Sequence, residues 1–268
     1  FLRRIVTRLP NIIFKGGTSL SKCYKLINRF SEDIDLNIET ESHPTEGQRK
    51  KLKEVIVSII DEFGFTLTNQ ENVRSRRDYN RYIVDYPTIF QTSYLKEHLI
   101  VETAVYIKAY PCKRMFASSL ICEYLERNGY ADMIEQYGLQ PFALKVQSAE
   151  RTLIDKVFAL GDYYLADAVY EHSRHVYDIY KLLEVVTLND SVKELVQSVR
   201  EERKPHVNCR SAKDDIDMNL LLQEILNKAI YKQDYEGITA KILFEEVPYE
   251  IAADALRKII ESGVFSLT

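Results

Sequence analysis

The chain has 268 residues, 46% hydrophobic and 28% charged, enough to bury a substantial core in one large domain or two modest ones. Its 36 Lys and Arg against 40 Asp and Glu give a net charge of −4, which excludes a uniformly basic nucleic-acid coat but leaves room for a local basic groove. No run of about 18 apolar residues is present, so no membrane span is expected.

Residues 11–15 read as a short strand ending at Gly16-Gly17, after which Thr18 is expected to cap a helix through Leu20, Cys23, Tyr24 and Ile27. Residues 30–38 read as the next strand, 39–47 with Pro44 as a loop, and 48–63 as a long helix stopped by Gly64. Strands are expected at 65–70, at 81–86 with Pro87 closing it, and at 98–110 with Pro111 breaking it. Helices then dominate, at 118–128, 148–160, 166–183, 190–202, 215–229 and 249–262. The expected fold class is therefore α/β (α+β): a mixed-sheet core over 1–115, then a mainly helical lobe over 116–268 that completes an active-site cleft. Cys23, Cys112, Cys122 and Cys209 form no close pair, which disfavours a Cys-rich zinc site and fits a reducing cytoplasm. The chain opens on Phe1 rather than Met and carries no basic, apolar leader, so an upstream segment stays open.

Two short phrases carry the chemistry. In Phe14-Lys15-Gly16-Gly17-Thr18-Ser19-Leu20, the glycines allow backbone angles other residues avoid and leave no side chain to block a ligand. With the hydroxyls of Thr18 and Ser19 at a helix start, that turn suits a phosphate, although the Gly-x-x-x-x-Gly-Lys-Ser/Thr pattern is missing. A plain strand-to-helix turn is the structural alternative. In Ser31-Glu32-Asp33-Ile34-Asp35-Leu36, alternate side chains share a strand face, so Asp33 and Asp35 together suit a divalent metal such as Mg²⁺. Ser31 suits either a phosphate contact or a turn cap. A third carboxylate is sought in the apolar run Leu99–Ile107, where Glu102 needs a partner or a metal; a neighbouring antiparallel strand would bring it to the pair, with Asp85 as competitor.

These blocks, with Arg29-Phe30 ahead of the acids, resemble the signature of the AbiEii-type nucleotidyltransferase toxins, within the DNA-polymerase-β-like nucleotidyltransferase superfamily. The resemblance runs over residues 12–183, through Leu153-Ile154-Asp155-Lys156, Ala159-Leu160 and Arg174-His175-Val176-Tyr177-Asp178-Ile179-Tyr180. It implies nucleotide or phosphate contacts at Gly17 and Ser31, metal ligands at Asp33, Asp35 and Glu102, and functional later motifs at Lys156 and Asp178. Position 175 departs from the usual Arg-Asp pair, which weakens a charged role there. The resemblance further implies a nucleoside triphosphate substrate, a tRNA acceptor end or other RNA as acceptor, and a separate antitoxin protein.

Lys156 is then expected to meet the triphosphate, with Asp178 fixing it or binding the sugar or base. A surface lysine and an Arg174–Asp178 helical pair are the plainer alternatives. His175 reads as a structural histidine more than a phosphate ligand, and Lys22 as a solvated lysine. Arg74, Arg76, Arg77 and Arg81, interleaved with Tyr79 and Tyr82, read as a nucleic-acid patch or a solvated hairpin. Lys108, Lys113 and Arg114 are no more specific, and Arg200, Arg203 and Lys204 read as a helix end. The expected reaction is metal-dependent transfer of a nucleoside monophosphate to RNA. Modification of a protein hydroxyl and nucleotide or partner binding without transfer remain as alternatives.

Overall fold

The computed structural model describes residues 1–31, 33–87 and 98–266; Glu32 of the acidic phrase lies outside them. The chain forms two compact units, Phe1–Lys25 with Ser31–Ser148, and Leu26–Phe30 with Ala149–Thr268.

The first unit runs α1 (Leu2–Arg8), β1 (Ile12–Lys15), α2 (Gly16–Ser19), β2 (Asp33–Ile38), α3 (Glu46–Glu62), β3 (Thr66–Leu67), β4 (Tyr79–Asp85), β5 (His98–Ala104), β6 (Cys112–Ala117), α4 (Leu120–Arg127), α5 (Ala131–Gln136) and β7 (Phe142–Gln147). The strands form one sheet in the order β3-β4-β5-β2-β1-β7-β6, with β2 near its centre. β2 is antiparallel to β1 and parallel to β5. The alternation of Ile34 and Leu36 with Asp33 and Asp35 fixes which face is buried. Phe14, Ile34, Leu36, Val101, Leu144 and Val146 join Ile5 of α1 and Leu52, Ile56, Ile59 and Ile60 of α3 in one core. Each such side chain contributes on the order of 1.5–3 kcal/mol by leaving water. α3 starts where Thr45 and Gln48 form a reciprocal capping box and ends before Gly64, whose φ is +67°.

Several elements depart from the expectations. Thr18 does not cap a helix: α2 starts at Gly16, continues as one π turn over Leu20–Tyr24, and stops at Lys25 in the left-handed region, short of Ile27. β5 ends at Ala104, and its pairing with β2 is parallel, not antiparallel. The strands continue past residue 115: β6 pairs with β7, and β7 pairs with β1. The strand expected at 65–70 shrinks to Thr66–Leu67, because Gln70–Asn72 forms a 3-10 turn.

The second unit is helical: α6 (Ala149–Leu165), α7 (Arg174–Leu182), α8 (Asp190–Arg203), α9 (Met218–Lys228), α10 (Lys232–Gly237) and α11 (Tyr249–Ser262). Leu153, Val157 and Phe158 of α6, Ile179 of α7, Ile225 of α9 and Ile259 of α11 are fully buried in its core. The helix expected over 166–183 begins only at Arg174. Ahead of it, Asp167 and Glu171 have positive φ, and Asp234 of α10 accepts from the backbone N–H groups of Glu171 and Ser173. That tertiary contact overrides local helix propensity. The segment Leu26–Phe30 belongs to this unit through a short antiparallel bridge, Phe30 N–H to Ile242 O at 3.0 Å and Phe244 N–H to Asn28 O at 2.7 Å. No helix among the described residues is long and apolar enough to cross a membrane.

Candidate active site

The sheet register builds a row of charge. Lys15 on β1 lies opposite Asp35 on β2, Asp35 opposite Glu102 on β5, and Glu102 opposite Arg81 on β4. Directly paired positions place their side chains on the same sheet face, so two acids stand side by side between two bases. Asp33 lies two residues along the same strand, on the same face and opposite Ile100. This is the face turned away from the core. Asp85 is paired with His98 at the far end of β4, so it is Glu102 that the register sets opposite Asp35.

The glycine turn closes on this row. Gly16 has φ of +73°, and a β-carbon there would lie 1.9 Å from Asp35 Oδ2. Only glycine lets the backbone pass so close to the carboxylate. Thr18 and Ser31 are committed to local structure: the Thr18 hydroxyl donates to the Asp33 carbonyl, leaving the Ser31 hydroxyl to donate to Thr18 Oγ1 at 2.8 Å. This chain of hydroxyls ties the start of α2 to the start of β2. Ser19 Oγ donates to Gly16 O at 2.8 Å and holds the turn from within. Gly17 follows in the first turn of α2.

Glu102 reports the electrostatics. Its carboxyl is pushed above the usual range, first by burial, then by the charges of Asp35 and Asp33; the Tyr79 hydroxyl and Arg81 oppose the shift. Arg81 Nε sits 3.5 Å from Glu102 Oε1. Tyr79 is itself raised, by burial and then by Glu102. Among the described residues no group of three or more His, Cys, Asp or Glu is arranged to hold a metal ion. The acids feel one another's charge, yet Glu102 is engaged by Arg81. Oxygen-only donors under mutual repulsion are nonetheless the chemistry that a hard divalent cation relieves.

A second ionic cluster is buried in the helical unit. Asp178 is fully buried on α7, and Arg29 grips it with two bonds, Nε to Oδ1 and Nη2 to Oδ2, each 2.7 Å. Lys156 of α6 donates to Asp178 Oδ2 at 2.6 Å and lies 3.4 Å from His175 Nδ1. Burial alone would raise the Asp178 carboxyl, but Arg29 and then Lys156 outweigh it and hold the group far below the carboxylate range. His175 is driven well below its usual value by burial, then by Lys156 and Arg174, so its ring is neutral and Nδ1 accepts from the ammonium. Lys156 is lowered by burial against the pull of Asp178. Both Asp178 oxygens are therefore bonded, Oδ1 by Arg29 and Oδ2 by Arg29 and Lys156. Arg29 escaped the sequence reading. The available signal was a guanidinium directly ahead of Phe30-Ser31, inside the phrase that carries the resemblance, with no role assigned to it.

The remaining candidates divide by exposure. Tyr82 is buried, whereas Tyr79 is 44% exposed. Lys22 is lowered by burial and is not a freely solvated lysine. Arg200 is buried and donates to the carbonyls of Ala212, Lys213 and Ile216, which closes the loop after α8. Cys23, Cys112, Cys122 and Cys209 are all free thiols.

The family model described as nucleotidyl transferase AbiEii toxin, type IV TA system, matches residues 1–261. The chain belongs to the AbiEii family. Its mixed sheet and helical C-terminal part accord with the polymerase-β-like nucleotidyltransferase fold of that AbiEii group, and its general class is that of nucleotidyltransferase toxins from toxin–antitoxin and phage-defence systems. No curated protein matches this AbiEii chain.

Proposed function

We propose that this protein transfers a nucleoside monophosphate from a nucleoside triphosphate to RNA, with a tRNA acceptor end as the preferred acceptor, in a Mg²⁺-dependent reaction. The observation that carries the reading is the row Asp35–Glu102 with Asp33 beside it, set on a central sheet face against Gly16, where a β-carbon would meet Asp35. Asp33, Asp35 and Glu102 would hold the metal, Glu102 leaving Arg81 to do so. Bound there, Mg²⁺ would supply Lewis-acid polarisation of the triphosphate and a more acidic acceptor hydroxyl. The acceptor oxygen forms the new bond to the α-phosphorus, the α–β bridging P–O bond breaks, and pyrophosphate departs with the electron pair. The hydroxyl proton passes to a carboxylate or to the substrate. The turn at Gly16, Gly17 and Thr18, with Ser31, bounds the phosphate side by its backbone. Lys156 is assigned to offsetting phosphate charge, and Asp178 to fixing its ammonium. The protein acts in the cytoplasm and is held in check by a separate antitoxin.

The test is a transfer assay with each of the four α-labelled nucleoside triphosphates, Mg²⁺ and total RNA, run beside the Asp33→Asn/Asp35→Asn variant. Label on RNA that disappears in the folded variant supports the reading. Label on protein would replace RNA with a protein hydroxyl. Metal-dependent binding without product would reduce the chain to a binding protein.

A further inference from the structure

The acidic chain carries one dense basic region. Residues 46–53 and 71–81 contain eight Lys and Arg against three Asp and Glu, in a protein whose net charge is −4. The two stretches are joined: Lys53 donates to Val73 O at 2.9 Å, Arg76 Nε meets Glu46 at 3.0 Å, and Arg49 meets Asp78 at 3.1 Å. The loop is built to hold its shape. Val73 is buried, and the Asn80 side chain both accepts from Arg74 N–H at 2.8 Å and donates to Arg74 O at 3.0 Å. Asp78 O accepts from Val105 N–H at 2.8 Å. A loop tied at both ends displays Arg74, Arg76 and Arg77 to solvent.

The strip leads into the acid row. Tyr79 opens β4 opposite the small Ala104, with Arg81 two residues on and facing Glu102. Tyr79 is 44% exposed and lies on the same sheet face as Arg81 and Glu102. A half-exposed aromatic on the face of the acids, beside a line of guanidinium groups, combines the two features that hold unpaired nucleic acid: backbone charge contacts and a stacking platform.

We infer that the surface formed by Arg74, Arg76, Arg77, Arg49 and Lys53, ending on the Tyr79 ring, docks the acceptor as single-stranded RNA, with phosphates along the arginines and the terminal base stacked on Tyr79. This deepens the RNA-transfer reading above and rests on it. Stacking there brings the terminal ribose to the Asp35–Glu102 row. The surface reads backbone charge and a π face, so it selects an unpaired end over a particular base.

The probe is a labelled single-stranded RNA oligonucleotide, its affinity followed by fluorescence anisotropy across a potassium chloride series. Arg74→Gln/Arg77→Gln is expected to weaken binding about tenfold or more and to lower the log–log salt slope by about 1.4, at about 0.7 per phosphate contact. Arg76→Gln combined with Lys50→Gln, at an exposed lysine of the same basic stretch, disturbs no backbone contact and provides an independent pair with the same direction. Tyr79→Leu is expected to weaken binding about tenfold with the slope unchanged, and Tyr79→Phe to restore it. Lys228→Gln/Lys258→Gln removes equal charge from the helical unit and is expected to change neither quantity. Unchanged RNA affinity in both arginine-containing pairs, with the native chain still labelling RNA, overturns the docking surface and leaves the transfer reading standing. Weakening without a change in slope in both pairs also overturns it. A native chain that binds no RNA and labels protein overturns both.

Discussion

The sheet unit and the helical unit each hold a cluster of ionic side chains, and the two are built on opposite terms. On the sheet, Asp33, Asp35 and Glu102 share one face at partial exposure, and burial and then the neighbouring acids raise Glu102. Around α7, Asp178 is fully buried, both its oxygens are bonded to cations, and its carboxyl is held low. Like charges crowded on one face store a tension that a ligand can relieve; opposite charges sealed in a core rigidify the backbone that carries them. The same residue type thus stands among like charges in one place and between opposite charges in the other.

The sharpest way to break this contrast is to neutralise each cluster and measure both activity and stability. Asp33→Asn/Asp35→Asn should lower nucleotidyl transfer by at least about 10³-fold while leaving the unfolding free energy within about 0.5 kcal/mol of the native value. Next in size, Asp178→Asn should cost about 3–5 kcal/mol in chemical denaturation, because Arg29 and Lys156 would share a core without their counter-charge. The sign with pH is fixed as well. A carboxyl lowered on folding stabilises fully above its unfolded pKa of about 3.9 and loses that contribution as pH falls through the folded value. The native chain should therefore lose stability on acidification below about pH 4, and the Asp178→Asn variant should show a flatter profile there.

Gly16→Ala tests the close approach of the turn to Asp35. The positive φ alone should cost about 1–2 kcal/mol, and displacement of Asp35 should cut transfer further, so thermal denaturation and the labelling assay should both move. The smallest expected effect is metal-linked: Mg²⁺ at about tenfold its dissociation constant should stabilise the native chain by about 1.4 kcal/mol in a melting experiment and the double aspartate variant not at all. Equal stabilisation of both would separate the acids from the metal.

The contrast also explains what was legible in the amino-acid string. The acid strand, the glycine turn and α11 follow from local pattern: Asp-Ile-Asp-Leu alternates with period two, and residues 249–262 keep helical spacing to a glycine stop. The α/β (α+β) class followed from the shift of strands to helices. What escaped depends on partners far away in the chain. Asp178 was read against Lys156 or, four residues earlier, Arg174, whereas its partner Arg29, 149 residues away, was given no role. β7 pairs with β1 across more than a hundred residues, and its six residues, partly buried on both faces, alternate too weakly to stand out. The pairing of Lys156 with Asp178 could be nominated from the sequence and is made in the fold, whereas the setting of Glu102 opposite Arg81 belongs to the folded chain alone.

The membership of Leu26–Phe30 in the helical unit bears on how the molecule can be dissected. A cut after Ser148 would not yield a clean sheet fragment, for that fragment would carry Arg29 without Asp178 and Asn28 without Phe244, leaving a guanidinium and a strand edge bared to solvent. Exchange of the helical part with that of another protein would require grafting five residues from the N-terminal half as well. The two units are modules by packing but not by cutting, which makes co-expressed halves, rather than isolated ones, the arrangement in which either should keep its native form.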